Sequence, residues 1–105
     1  MSTSASGTVP NGNVVRLFLF VTSDSPRSVM AIENIHRALA NFTDRTFALE
    51  VVNVFDQPDR ALESRVLVTP TLLAPDSGRR LVGDLSGKTQ LAYFLQGLPA
   101  DPVPS

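Results

Sequence analysis

A hydrolytic site needs a hydroxyl, an imidazole and a carboxylate within hydrogen-bond reach, and the chain offers Ser23, Asp24, Ser25 and a single histidine, His36. Any Ser-His-Asp relay must therefore use His36 as its general base. The pattern over residues 27–40 is helical, and at about 1.5 Å of rise per residue His36 lies roughly 15 Å along that helix from Ser25, out of reach. His36 is expected to be a flanking or partly buried side chain at the edge of the apolar stripe. Thiol chemistry is excluded outright, because the chain contains no cysteine. The run Gly83-Asp84-Leu85-Ser86-Gly87-Lys88-Thr89 resembles a phosphate-binding loop, in which backbone N–H groups and a lysine meet the phosphate charge. It is one residue short between its glycines, and it closes the domain instead of opening a βαβ unit, so a plain helix N-terminus is the expected role. Asp56 and Asp59 bracket Pro58 and favour the start of a helix. No His or Cys joins them as a metal ligand, and no catalytic, metal-binding or cofactor-binding residue is expected.

The elements that would position these residues must fit into 105 residues, enough for one domain with a modest core and no metal or disulfide staple. A hydrophobic share of 43% and a net charge of −1 argue against disorder. The nine Lys and Arg are scattered among ten acidic residues, so nucleic acid is not an expected partner. The apolar run from Val14 to Val21 is interrupted by Arg16 and is far shorter than the ~18 residues of a membrane span, which makes it a buried strand. Residues 1–13 are rich in Ser, Thr, Gly and Asn and lack the charged start and apolar core of a secretory signal. A cytoplasmic location is expected, in agreement with the missing cysteines. Residues 1–13 and 99–105 are expected to be disordered tails around a domain at 14–98.

After the first strand, Val29, Ile32, Ile35 and Leu39 share one face of the helix over 27–40. Ser25 is its expected N-cap, with Pro26 in the first turn. Residues 46–54 are rich in β-branched side chains and form a second strand, so strand, helix and strand make a βαβ unit with parallel pairing and a right-handed crossover. Residues 56–65 suggest a short helix. Residues 67–73, a turn at 74–78 and residues 79–82 form an antiparallel hairpin. A last helix, capped near Ser86, places Leu91, Phe94, Leu95 and Leu98 on one face, with Gln90, Tyr93 and Gln96 outside. The resulting order, β-α-β-α-β-β-α, is that of an α/β thioredoxin-like fold, and Thr69-Pro70-Thr71 sits where that fold keeps a cis proline, so Pro70 is expected to be cis. Where redox-active members carry Cys-x-x-Cys, this chain has Ser23-Asp24-Ser25-Pro26-Arg27-Ser28. Those hydroxyls neither ionise near neutral pH nor form mixed disulfides.

Leu17 to Val21, Ser25-Pro26-Arg27-Ser28-Val29, Ala48-Leu49-Glu50-Val51-Val52-Asn53-Val54, Val68-Thr69-Pro70-Thr71-Leu72 and Arg79-Arg80-Leu81-Val82-Gly83-Asp84-Leu85-Ser86 together resemble the KaiB-type circadian clock proteins. The resemblance spans 14–98, and its Thr-Pro-Thr and Arg-Arg-x-x-Gly-Asp-Leu-Ser steps are specific in combination. It implies a non-catalytic protein that binds the first ATPase ring of the hexameric ATPase KaiC and helps capture the regulators of that enzyme's phosphorylation cycle. It also implies a homo-oligomer at rest, dimer or tetramer, and metamorphism: better-studied members rest as βαββααβ tetramers and switch their C-terminal half to the thioredoxin-like arrangement in order to bind. The helical spacing of Leu91, Phe94, Leu95 and Leu98 favours the latter arrangement here.

By the same resemblance, Arg65 at the end of the short helix and the pair Arg79 and Arg80 are the expected partner contacts. Without it, the arginine pair is a solvated hairpin edge that discourages strand aggregation. Tyr93 is a further candidate contact, although isolated exposed aromatics are common. The chain also departs from the family. Glu50 stands where clock members commonly carry lysine, which reverses the sign of part of a basic surface. Ser23 and Asp24 replace the usual Gly and Asn, and the turn before Arg79 is shortened. Two neighbouring roles stay open. One is a divergent KaiB-like adaptor in bacterial stress adaptation. The other is the KaiB-like sensory domain that precedes a histidine kinase in clock-output proteins, which the end of the chain at Ser105 disfavours.

Overall fold

Alternation along the first strand creates two cores on opposite sides of one sheet. The computed structural model describes residues 14–43 and 45–98; both tails assigned from composition lie outside the described residues. The elements are β1 (Val14–Val21), α1 (Pro26–Leu39), β2 (Thr46–Asn53), α2 (Pro58–Glu63), β3 (Thr71–Ala74), β4 (Arg79–Val82) and α3 (Lys88–Gln96), in the order expected from the sequence. They form a four-stranded sheet of order β2-β1-β3-β4. β1 pairs in parallel with β2, Val14 opposite Thr46 and Val21 opposite Asn53. It pairs antiparallel with β3, Phe18 opposite Leu73, and β3 continues antiparallel into β4, Leu73 opposite Arg80.

Successive side chains of a strand point to opposite faces. Val15, Leu17, Leu19 and Val21 of β1 enter the larger core with Ala31 and Ile35 of α1 and Leu91 and Leu95 of α3. Phe20 enters the smaller core with Val52, Leu73 and Ala61 of α2, and Phe18 packs at its margin. α1 and α3 thus cover one face and the six-residue α2 covers the other, which leaves much of that second face open.

Four local expectations are corrected. The buried stripe of α1 is Ser28, Ala31 and Ile35, with Ile32 and Leu39 partly buried against the core, whereas Val29, about 100° round the helix from Ser28, is half exposed. Residues 67–70 do not extend the hairpin: β3 starts only at Thr71, and Leu67 is 92% exposed. α3 takes its N-cap at Gly87, and Ser86 is instead bonded to Asp84, its N–H donating to Oδ1 at 3.1 Å. Ser25 does occupy the N-cap position of α1 in an extended conformation, but its side chain makes no capping hydrogen bond. The last helix buries Leu91 and Leu95, leaves Phe94 only partly buried and Gln90, Tyr93 and Gln96 exposed, and Leu98 is buried two residues beyond its end.

Leu19 and Leu67 separate core from surface. Leu19→Ala, at a fully buried position, is expected to lower stability in urea denaturation by roughly 2–5 kcal/mol. Leu67→Ala is expected to change it by less than about 0.5 kcal/mol. Equal losses at the two sites would mean that residue 67 is packed.

Candidate functional site

The strand directions bring four connections to one end of the sheet: the carboxyl ends of β1, β2 and β4 and the amino end of β3. This is where the loop after β1 meets the segment before β3. Thr22 and Thr69 share a hydrogen bond between their hydroxyls at 2.6 Å, and the Thr22 N–H donates to the buried Ser28 Oγ at 3.0 Å. The Thr69–Pro70 peptide bond is cis, and the Gly83 N–H donates to the Pro70 carbonyl at 2.9 Å. Gly83 has φ +119°, a conformation reserved for glycine, which lets the chain leave β4 sharply at this contact. Ser28, the last hydroxyl of the run that stands in place of Cys-x-x-Cys, is thus buried and bonded within its own loop, and the Thr22–Thr69 pair joins that loop to the segment before β3.

Asp84 settles the phosphate-loop resemblance. Its carboxylate accepts from the Ser86 N–H and lies in the connection that precedes α3, so a negative charge already occupies the place an incoming phosphate would take. The side-chain and backbone hydrogen bonds from Ser86 hold the Asp84 carboxyl below the usual carboxylate range. His36 is exposed on α1, eleven residues beyond Ser25. Among the described residues, no cluster of three His, Cys, Asp or Glu could hold a metal ion.

The end of α2 carries the most distinctive backbone at this edge. The Arg65 N–H donates to the Leu62 carbonyl at 3.0 Å and the Val66 N–H to the Ala61 carbonyl at 2.9 Å, which is a Schellman ending with Arg65 at its left-handed position. Arg65 has φ +57°, where glycine is the usual choice and any side chain is strained. Its exposed side chain makes no hydrogen bond or ion pair within the described residues. Around it stand exposed apolar groups: Leu62 on α2, and Leu67 and Val68 in the following loop, 75%, 92% and 53% exposed. A cation held on a strained turn among exposed apolar side chains is suited to recognising another protein.

The two paired arginines do something different. Arg80 reaches across to the end of α2 and donates to the Ser64 carbonyl at 2.7 Å and the Arg65 carbonyl at 3.0 Å. Arg79, its neighbour on β4, faces the opposite side of the sheet and donates to the Gly97 carbonyl at 3.1 Å, beyond α3. Each guanidinium therefore satisfies carbonyls that a helix end leaves orphaned, and each suits the negative end of that helix. The fold brings Arg65 and Arg80 together and separates Arg79 from both.

Sequence reasoning missed Arg60, which answers the reversed charge at Glu50. Its guanidinium donates to Glu50 through both Nη nitrogens, Nη1 to Oε2 and Nη2 to Oε1 at 3.0 Å, and lies 4.8 Å from the centroid of the Phe18 ring. Glu50 and Phe18 are register partners on β2 and β1, so cation, ring and carboxylate form one stack over the open face. The only advance signal is the acidic departure at Glu50 itself. The hydrogen bond from Arg60 lowers the Glu50 pKa, and the Glu50 carboxylate raises that of Arg60.

The KaiB domain model matches residues 18–97. The chain belongs to the KaiB family. It is 35% identical over 89 residues to the circadian clock protein KaiB3 of a Synechocystis strain, covering 83% of this chain and 87% of that protein. It is equally 35% identical over 81 residues to the circadian clock oscillator protein KaiB of Thermosynechococcus vestitus, covering 75% of each. Among solved structures, the N-terminal domain of Synechococcus elongatus SasA superposes with a TM-score of 0.65 at 29% identity over 90% of both chains. Mitochondrial thioredoxin 3 of Saccharomyces cerevisiae superposes at 0.66 with 19% identity, over 79% of this chain and 77% of that one, a likeness of fold. This KaiB-family chain is thus thioredoxin-like in arrangement, and the relatives it matches are named as clock proteins and not as enzymes.

Arg65→Gly is expected to raise the stability of this KaiB-family chain by roughly 0.5–1 kcal/mol, because glycine relieves the left-handed strain. Arg80→Ala should lower it by roughly 1 kcal/mol through two orphaned carbonyls. Urea denaturation of both variants reads the two signs. For the Glu50–Arg60 pair the folded-state pKa of Glu50 is depressed, so its contribution is present above the unfolded-state pKa and lost as pH falls through the folded value. A double-mutant cycle with Glu50→Gln and Arg60→Met should show favourable coupling at pH 7 that disappears below the usual carboxylate range. Coupling that persists there would mean that packing on Phe18, not charge, joins the pair.

Proposed function

We propose that this chain is a non-catalytic KaiB-type clock regulator that binds a KaiC-like hexameric ATPase and modulates its phosphorylation cycle. The family match and the clock names of its relatives support the role. The observation that carries the binding site is Arg65, a cation without a partner among the described residues, kept on strained backbone beside Leu62, Leu67 and Val68. Arg65 makes the direct contact, Arg80 positions it by holding its carbonyl, and Arg79 contributes through the placement of α3. The chain acts in the cytoplasm and rests as a homo-oligomer, dimer or tetramer, with the βαββααβ arrangement as its second form. A regulator without catalysis agrees with the exposed, distant His36 and with the self-occupied Asp84 loop.

The Glu50–Arg60 pair favours a second reading. An acidic group where clock members carry lysine changes the charge a partner meets, as expected of a divergent adaptor in bacterial stress adaptation that serves another KaiC-like ATPase.

Size-exclusion chromatography of the chain mixed with the KaiC-type ATPase of its own organism, with ATP present, tests the proposal. Wild type is expected to co-elute, Arg65→Glu to lose the complex, and Arg65→Gly to bind more weakly although it is the more stable protein. Absence of wild-type co-elution over hours would overturn the proposal, and full binding by Arg65→Gly would remove Arg65 from the interface.

A further inference from the structure

Between α1 and α3, on the side of the molecule away from α2, lies a cleft of about 290 Å³. Ala38 and Ala92 line it from the two helices, and their methyl-sized side chains leave a gap that larger residues would close. Its apolar lining includes Phe42, Leu85 and Leu91. The polar groups at this cleft are cationic or neutral: Arg37 and Lys88 line it, and no carboxylate does among the described residues. Arg37 is held in place by a short relay. Asn34 Nδ2 donates to the Asp84 carbonyl at 2.9 Å, and Arg37 Nη1 donates to Asn34 Oδ1 at 3.1 Å. That relay occupies one of the five guanidinium N–H groups and leaves the others to a ligand. Lys88 makes no hydrogen bond or ion pair within the described residues.

We infer that this cleft binds a small organic anion with an aromatic body, its carboxylate set against Arg37 and Lys88 and its ring against Phe42, Leu85 and Leu91. An apolar lining with a few convergent polar groups is the usual make-up of a small-molecule site. The volume is about twice that of a ~150 Å³ cavity able to hold benzene, so one or two fused rings fit. A fixed guanidinium recognises a planar carboxylate by two parallel hydrogen bonds, and the ammonium adds a mobile second charge. The site is separate from the Arg65 surface, so its test does not depend on the ATPase.

Sodium 1-naphthoate titrated into the full chain, followed by amide chemical shifts, tests the inference, with the neutral 1-naphthalenemethanol as its isostere. Saturable shifts centred on Ala38, Leu91 and Ala92 are expected. Binding by the alcohol, and naphthoate binding by the Arg37→Gln/Lys88→Gln variant, should be weaker by about fivefold or more. Ala92→Leu, which fills the gap, should abolish the shifts while leaving the spectrum dispersed; if it does not fold, the charge variant and the isostere still decide. Equal binding of acid and alcohol, or shifts centred on Leu62 and Leu67 instead, would overturn the inference, as would no saturable shift at all.

Discussion

Everything in this domain leans on the two-sided burial of β1. Its odd-numbered residues from Val15 to Val21 and its Phe20 are almost fully withdrawn from water on opposite faces of the sheet. Each such aliphatic side chain contributes about 1.5–3 kcal/mol when buried. A strand buried on both faces needs cover on both, which α1 and α3 provide on one side and α2 on the other. It also needs a neighbour on both edges, and β2 and β3 supply them in opposite directions. The parallel neighbour requires the α1 crossover, and the chain then returns through α2 and the loop that contains Pro70 to lay β3 antiparallel on the other edge of β1. The clustering of connections at one end of the sheet follows from these pairings.

The cover is unequal, and the inequality makes the surface. α2 is six residues long and shields Phe20 and Val52, but leaves Phe18 to the guanidiniums of Arg16 and Arg60. Arg16 is itself anchored by Asp76 through two hydrogen bonds, Nη2 to Oδ1 at 3.0 Å and Nε to Oδ2 at 3.2 Å. Charged side chains with apolar stems thus take the place of a longer helix. On the other side α3 is secured at its carboxyl end, where Arg45 donates to the Leu98 carbonyl at 2.7 Å and Arg79 to that of Gly97. Arginine is suited to this work because it stays charged and offers several donors to orphaned carbonyls. Arg65 departs from the pattern, an arginine on strained backbone whose side chain has no such duty among the described residues.

Much of this was legible in the residues. The alternation of β1, the β-branched run of β2, the helical spacing of Leu91, Leu95 and Leu98 and the turn formers around Ser77 and Gly78 determine the element order, because each is a local pattern with a single period. The absence of cysteine determined that the thioredoxin-like frame carries no thiol chemistry, and the Thr-Pro-Thr and Arg-Arg steps pointed to the family. Arg65, Arg79 and Arg80 could be named from those steps, but their separate duties could not. Adjacent residues of a strand look alike in sequence, and only the sheet sends Arg79 and Arg80 to opposite faces. The polar Ser28 takes a buried place on α1 that no apolar pattern marks, and Val29 falls about 100° round the helix from it. Pairs distant in sequence, such as Asp76 with Arg16 and Asn34 with the Asp84 carbonyl, leave no periodic trace. Periodicity fixed the elements by itself; which side chains meet was decided by packing, since contact depends on the arrangement of elements and not on their order.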